Sequence, residues 1–136
     1  MFKRNQLFPL VGGLALLLLI TFQQPEAESQ VGGQNITGDA VNSVYLTITD
    51  HRYRGGEFND LITGTVSNNS TETIGVTNVY AALFNADNQL LSMESGTVTV
   101  PTLPAGDNSA FDIAVYGVGE NDIVDHYTLF PTGTPQ

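Results

Sequence analysis

The chain has no cysteine. This excludes disulfide staples, thiol nucleophiles, Cys-ligated metals and a lipid anchor attached at a processed cysteine. An exported domain of this composition must be held together by its apolar core alone. Basic residues are almost as scarce: among 136 residues only Lys3, Arg4, Arg52 and Arg54 carry positive charge, and no lysine follows Lys3. All 14 acidic residues lie beyond position 25, where only the two arginines oppose them. Phosphate-bearing partners, whether nucleic acid or anionic lipid headgroups, would be repelled by such a surface. No stretch after residue 22 repeats apolar residues at helical spacing, which argues against amphipathic helices. The Gly-x-Ser-x-Gly elbow of a serine hydrolase is missing as well.

The one long apolar run is N-terminal. Lys3 and Arg4 precede Leu10 to Ile20, which contains Leu16-Leu17-Leu18-Leu19, and a polar segment from Thr21 to Ser29 follows. This is the three-part pattern of a secretory leader, with Ala27 and Ser29 as the small residues before a cut after Ser29. The alternative is an uncleaved anchor. Leu7 to Phe22 spans sixteen residues and contains Pro9, Gly12 and Gly13, whereas a spanning helix needs about 20. Both readings export the rest of the chain, because the basic residues stay inside. Residues 1–29 are therefore expected to form a signal or anchor helix, with membrane attachment through residues 7–22 in the second case.

Residues 30–40 (QVGGQNITGDA) lack periodicity and read as a flexible linker. From Val41 the pattern is that of short strands and turns. Val44, Leu46 and Ile48 alternate along a first strand, and Asp50 to Glu57 forms a loop containing Gly55-Gly56. Phe58 to Ser67 is the next strand, with Ile62, Gly64 and Val66 on one face. A glycine inside a strand marks a bulge or a close approach. Asn68 to Glu72 is a polar turn. Ile74 to Asn85 is the longest strand, with Val79, Ala81 and Leu83 on one face and Tyr80, Ala82 and Phe84 on the other. Such a strand is central. Asn85 to Asn88 makes a hairpin turn, since Asn and Asp tolerate positive φ. Gln89 to Ser95 and Thr97 to Val100 continue the β pattern, and Pro101 to Asp107 crosses between sheets. Ser109 to Tyr116 points Phe111, Ile113 and Val115 inward. Ile123 to Phe130 closes the domain, and residues 131–136 form a polar tail. The expectation is an all-β, immunoglobulin-like sandwich of about seven strands over residues 41–130.

Three segments carry a family resemblance. Leu61-Ile62-Thr63-Gly64-Thr65-Val66-Ser67-Asn68-Asn69-Ser70 has an apolar-x-Gly-x-Val-x-Asn start. Val79-Tyr80-Ala81-Ala82-Leu83-Phe84-Asn85 stands at the naming motif, with Ala81 in place of Phe and Phe84-Asn85 in place of Tyr-Asp. Leu103-Pro104-Ala105-Gly106-Asp107 followed by Phe111 forms the turn before a late strand. Together they resemble the FxLYD domain family, small immunoglobulin-like modules of exported prokaryotic proteins. The resemblance implies no enzyme activity, no cofactor and no defined ligand, and a module that spaces, packs or adheres at the cell envelope.

The residues themselves offer a few chemistries. Asp50-His51 and Asp125-His126 would suit a metal or acid–base site if their loops met. Asn85, Asp87, Asn88 and Gln89 supply oxygens for Ca²⁺, as does the acidic loop Gly117 to Asp122; Asp107, Asp112 and Asp125 add carboxylates. Glu57 with Asp60, or Asp122 with Asp125, are the carboxylate pairs a glycosidase would need, but a domain of this size leaves little room for a deep cleft. Asn35-Ile36-Thr37, Asn68-Asn69-Ser70 and Asn69-Ser70-Thr71 fit the N-glycosylation pattern, the latter two in an expected exposed turn. Tyr53 and Tyr116 are the aromatic candidates for carbohydrate contact. The leading expectation is a non-catalytic envelope module with a structural role or an unknown protein partner at the cell surface. The alternative is a Ca²⁺- or carbohydrate-binding module using acidic loops.

Overall fold

A computed structural model describes residues 28–31 and 34–136. Nine strands run in chain order: β1 (Glu28–Val31), β2 (Gln34–Ala40), β3 (Leu46–Arg54), β4 (Asp60–Asn68), β5 (Ile74–Phe84), β6 (Leu90–Gly96), β7 (Thr102–Leu103), β8 (Asn108–Val115) and β9 (His126–Pro135). They form two sheets. One has the order β1-β2-β9-β5-β6, with β7 also pairing β5; the other is β3-β4-β8. All neighbours are antiparallel except β2 and β9, which run parallel.

Alternation along each strand explains which face is covered. Ile62 and Val66 of β4, Phe111, Ile113 and Val115 of β8, and Tyr127 and Leu129 of β9 all turn into one buried cluster. Val79, Ala81 and Leu83 of β5 are completely buried in it. Each fully buried aliphatic side chain of this kind contributes roughly 1.5–3 kcal/mol. Two irregularities keep the inward set continuous. The β5–β9 register shifts between Val76 and Asn78, so the buried positions pass from Ile74 and Val76 to Val79, Ala81 and Leu83. The β3–β4 register shifts between Thr49 and Arg52, where Asp50 takes a φ of 53°. That extra residue changes the inward set from Leu46 and Ile48 to Tyr53. Gly64 faces this bulge. A β-carbon there would sit 2.7 Å from the Phe111 ring and 3.1 Å from the His51 backbone, the close approach expected of a strand glycine.

Asn68 ends β4 as a buried polar hub. Its amide donates to the carbonyls of Glu72 (2.7 Å) and Leu103 (2.9 Å), and its side-chain oxygen accepts from the Ser70 N–H at 2.9 Å and hydroxyl at 2.7 Å. Its own backbone pairs with Asp107 and Gly106. Every polar group of the residue is satisfied, as burial demands. The Asn85 turn works similarly at the surface: Asn85 Oδ1 accepts from Asp87 and Gln89, and Asn88 adopts a φ of 60°.

Several boundaries differ from the sequence expectation. Seven strands, β3 to β9, follow residue 41 as expected, and two more, β1 and β2, precede it among the described residues. Residues 34–40 are not a linker; β2 pairs with β9 from Thr37↔His126 to Ala40↔Leu129, and Ile36 is buried in the core. A cut after Ser29 would divide β1 and leave β2 whole. Residues 1–27, which hold most of the expected leader, lie outside the described residues. Val44 precedes β3 and is exposed. The expected loop from Asp50 is strand as far as Arg54, made possible by the bulge. Phe58 and Ile123 belong to loops, and residues 131–135 continue β9 against β5 instead of trailing as a tail. The expected crossing after Pro101 is present: β7 lies in one sheet and β8 in the other.

Two substitutions test this packing. Val79→Asp or Leu83→Asp puts an unpaired charge at a fully buried site and should cost roughly 4 kcal/mol or more, read as a collapse of the denaturant midpoint. Cooperative unfolding at the wild-type midpoint would mean that the other face of β5 is the covered one. Gly38→Leu tests the arm: a β-carbon at 38 would overlap the Tyr127 ring. The variant should expose residues 28–40 to limited proteolysis while the remaining strands stay resistant, and unchanged protection would refute β2 docking.

Candidate functional site

Two connections border one end of the sheets, residues 55–59 between β3 and β4 and residues 116–125 between β8 and β9. Together they border an open cleft of about 430 Å³ whose lining includes Ile36, Tyr53, Phe58, Asp60, Tyr116, Asp122 and Ile123. Its floor is the end of the core, since Ile36, Tyr53, Val115 and Val124 are buried. Its rim is apolar yet open to water: Phe58 is 89% exposed, Tyr116 71% and Ile123 59%. Neither Arg52 nor Arg54 lines it. Both project from β3 beside Thr63, Thr65 and Asp112, around a different depression.

Two carboxylates, Asp60 in the lining and Glu94 outside it, hold the segments that border the cleft. The Tyr53 hydroxyl donates to Asp60 Oδ2 at 2.9 Å, and the Gly56 N–H reaches Asp60 Oδ1 at 3.4 Å. Burial, then the hydrogen bond and negative charge of Asp60, push the Tyr53 hydroxyl far above its ordinary value. Tyr53 is therefore a neutral donor fixed to Asp60, with its ring in the core. Glu94 on β6 holds the opposite loop. It accepts from the backbone N–H groups of Tyr116 (3.2 Å) and Gly117 (2.6 Å) and from the Ser92 hydroxyl (2.7 Å). Gly117 is needed there, because a side chain would run into Ser92 and Glu94. Tyr116 thus leaves the sheet from a backbone anchored by a carboxylate, while its ring stays free. A turn closed by Asp122 N–H to Gly119 carbonyl (3.0 Å) shapes the rest of the loop.

A second depression of about 520 Å³ lies on the other side of the Asp122–Val124 segment. It brings the Asn85-Ala86-Asp87 turn beside Asn121, Asp122 and Asp125. The two acidic segments proposed for Ca²⁺ are thus neighbours in space. Two of their oxygen-bearing side chains already have partners: Asn85 Oδ1 holds its own turn, and Asp125 pairs with His126 Nδ1 at 2.8 Å. Among the described residues no group of three or more His, Asp or Glu side chains is disposed to hold a metal ion.

The histidines are separated in role. His126 stacks on Phe84 with ring centroids 5.1 Å apart. His51 turns inward and meets the Tyr127 hydroxyl through Nδ1 at 3.0 Å, with the two rings edge to face. Burial lowers the His51 pKa from its ordinary 6.5, against the opposing pull of Asp39 and Asp50. Burial also pushes the Tyr127 hydroxyl up to about 12. A neutral His51 accepting the Tyr127 proton satisfies both.

Of the carboxylate pairs, Asp60 and Asp122 line the same cleft although they were paired with other partners, Glu57 and Asp125, on sequence spacing. Of the glycosylation candidates, Asn68 is buried and fully hydrogen-bonded, which corrects its expected exposure; Asn69 is exposed and its amide donates to Thr47. Tyr53 and Tyr116, named as carbohydrate contacts, do border one cleft, but only Tyr116 presents its ring. Phe58 was missed because it continues an apolar pattern into β4. The signal that could have found it was Gly55-Gly56 just before it and Asn59-Asp60 just after, which isolate it from the strand. No family model matches the chain, and no curated protein or solved structure matches it either.

The half-buried His51 generates a prediction with a defined sign. Because the folded state holds His51 below 6.5, the unfolded chain binds the extra proton first as pH falls. Stability contributed by neutral His51 is present above 6.5 and is lost as pH drops from there toward the lowered folded value. Urea midpoints measured between these limits should fall more steeply for wild type than for His51→Gln, and equal slopes would show that His51 titrates normally.

Proposed function

We propose that this chain is an exported, non-catalytic interaction module of the cell envelope, an immunoglobulin-like sandwich that presents the Phe58–Tyr116–Ile123 cleft to a protein partner. The observation that carries the reading is that three exposed apolar side chains, two of them aromatic, stand on two loops around one cleft, whereas the other exposed apolar side chains, Val41, Val44, Leu90, Met93 and Val100, lie outside its lining. Aromatic side chains held on loops by a rigid frame are the usual anchors of protein recognition. The export part rests on the leader pattern at residues 1–29. The immunoglobulin-like part is supported by strand arrangement: β3-β4-β8 opposes β6-β5-β9, as strands A, B and E oppose C′, C and F in that class. On this reading β2 takes the edge beside β9 that a final G strand occupies elsewhere. Membership of the FxLYD family fits the same arrangement, with Gly64, the β5 motif and the Pro104–Asp107 turn as its supports.

A non-catalytic role agrees with the chemistry of the cleft. Asp60 is engaged by Tyr53, and among the described lining residues no Ser, Thr, imidazole or cation joins it. Carbohydrate recognition, the alternative, draws support from the Phe58 and Tyr116 rings. Neither ring stands opposite an amide-rich wall, and Asn59 is the sole amide side chain of the lining.

Site-directed photocrosslinking tests the proposal. A benzophenone amino acid in place of Tyr116, in the full chain made by its own host, should give a discrete crosslinked protein in the envelope fraction. The same group in place of the outward-facing Ala110 should give none. Equal crosslinking from both positions, or none from Tyr116, would overturn the cleft as a contact surface, and recovery of the chain in the cytoplasm would overturn export.

A further inference from the structure

Resting on that reading, we infer that the cleft receives an extended peptide segment bearing arginine or lysine side chains. The inference draws on three features of the same surface. First, the rim supplies aromatic faces. Phe58 and Tyr116 are largely exposed on opposite loops, with the cleft between them. An aromatic face attracts a cation through its quadrupole, and the aliphatic stem of Arg or Lys packs on the same ring.

Second, the charge around the cleft has one sign. Asp60 and Asp122 line it, Glu57 and Glu120 belong to the same two loops, and both arginines of the domain lie elsewhere. Beyond the Asp122–Val124 segment, the adjoining depression adds Asp87 and Asp125. Two neighbouring hollows therefore share Asp122, Ile123 and Val124 as a dividing ridge, each carrying carboxylates and, among the described residues, no arginine or lysine in its lining, although Asp125 already pairs with His126. A segment crossing Ile123 places one basic side chain in each hollow. The ridge itself offers apolar contact to the residue between them.

Third, the carboxylates differ in how far they are already committed. Asp60 accepts from Tyr53 and Gly56, so it contributes mainly field. Asp122 is exposed on its turn and is the partner for a charge-assisted bond. A neutral glycan would use the rings and leave this charge unanswered. An anionic ligand would be repelled by it. Charge complementarity thus selects a basic peptide over both.

The test uses the full exported chain and three probes followed by backbone NMR shifts: a short capped peptide alternating Arg and Ala, the same peptide with Gln for Arg, and a neutral β-linked glucose oligomer. The Arg peptide should perturb residues 56–60, 85–87 and 116–125, and its affinity should fall as salt is raised past the point where the screening length drops below about 10 Å. Phe58→Ala and Tyr116→Ala should each weaken it roughly two- to fivefold. Asp122→Asn, on an exposed turn, should reduce both the affinity and its salt dependence while melting as wild type does. Equal binding of the Gln peptide, or binding of the oligosaccharide without the Arg peptide, would overturn the cationic assignment. Should no probe bind, the cationic assignment also falls. Crosslinking from Tyr116 judges the broader reading independently, so the two failures are distinguishable.

Discussion

Ten residue pairs join β5 to β9, from Ile74↔Pro135 to Phe84↔His126, and the larger sheet is assembled from the two outer edges of that pair. β6 and β7 bind the far edge of β5, and β2 binds the far edge of β9. The inward side chains of the pair, Val79, Ala81, Leu83, Tyr127 and Leu129, are all fully or almost fully buried, so they form the floor on which β3, β4 and β8 pack. Without cysteine there is no covalent tie to substitute for this contact. The two strands are also far apart in sequence, and the loop-closure entropy must be met before their contacts are gained. A topology of this kind, dominated by non-local pairing, folds slowly compared with one built from local contacts.

The same constraint explains why the N-terminal arm matters. β5 pairs one side of β9, and the other side would be an open row of backbone donors and acceptors if nothing covered it. β2 covers it in parallel, and Gly38 lets the chain pass over the Tyr127 ring. Tyr127 in turn meets His51 across the core, and Ile36 reaches the floor of the cleft. The arm thus links edge protection, the His51–Tyr127 contact and the candidate site through a few residues.

The sequence pattern revealed the elements whose alternation is unbroken. β8 is the clearest case: Phe111, Ile113 and Val115 were expected inside and are inside. It failed where a single extra residue changes the parity. The bulge at Asp50 prolongs β3 to Arg54, where composition suggested a loop, and the shift at Thr77 joins two inward sets that no single period describes. β2 escaped because it shows little apolar content of its own: its place between β1 and β9 rests on backbone pairing, with Ile36 buried in the core and Ala40 packed against it. Asn68 was legible as the end of a strand but not as a buried hub, since its partner Leu103 is distant in sequence. The acidic loops were recognised, while their meeting across Asp122 depends on the β5 and β9 ends lying side by side. Phe58 illustrates the opposite error: it was expected to begin a strand, whereas β4 starts at Asp60 and Phe58 stays in the loop, exposed to solvent.

That solvent position is what separates scaffold from site. A side chain as exposed as Phe58 or Tyr116 gains little from folding, because little of its apolar area leaves water. The loops bearing these rings are nonetheless tied down by polar contacts, Glu94 to the Tyr116–Gly117 backbone and Asp60 to Gly56 and Tyr53. Stability is therefore invested in the position of the backbone and not in the rings that the backbone presents. A rigid mount with an uncovered aromatic reduces the ordering cost of binding. The carboxylates of those loops give that mount an electrical sign as well as a shape. The core can keep its register while the rim changes its ligand, which is how one sandwich frame serves unrelated partners.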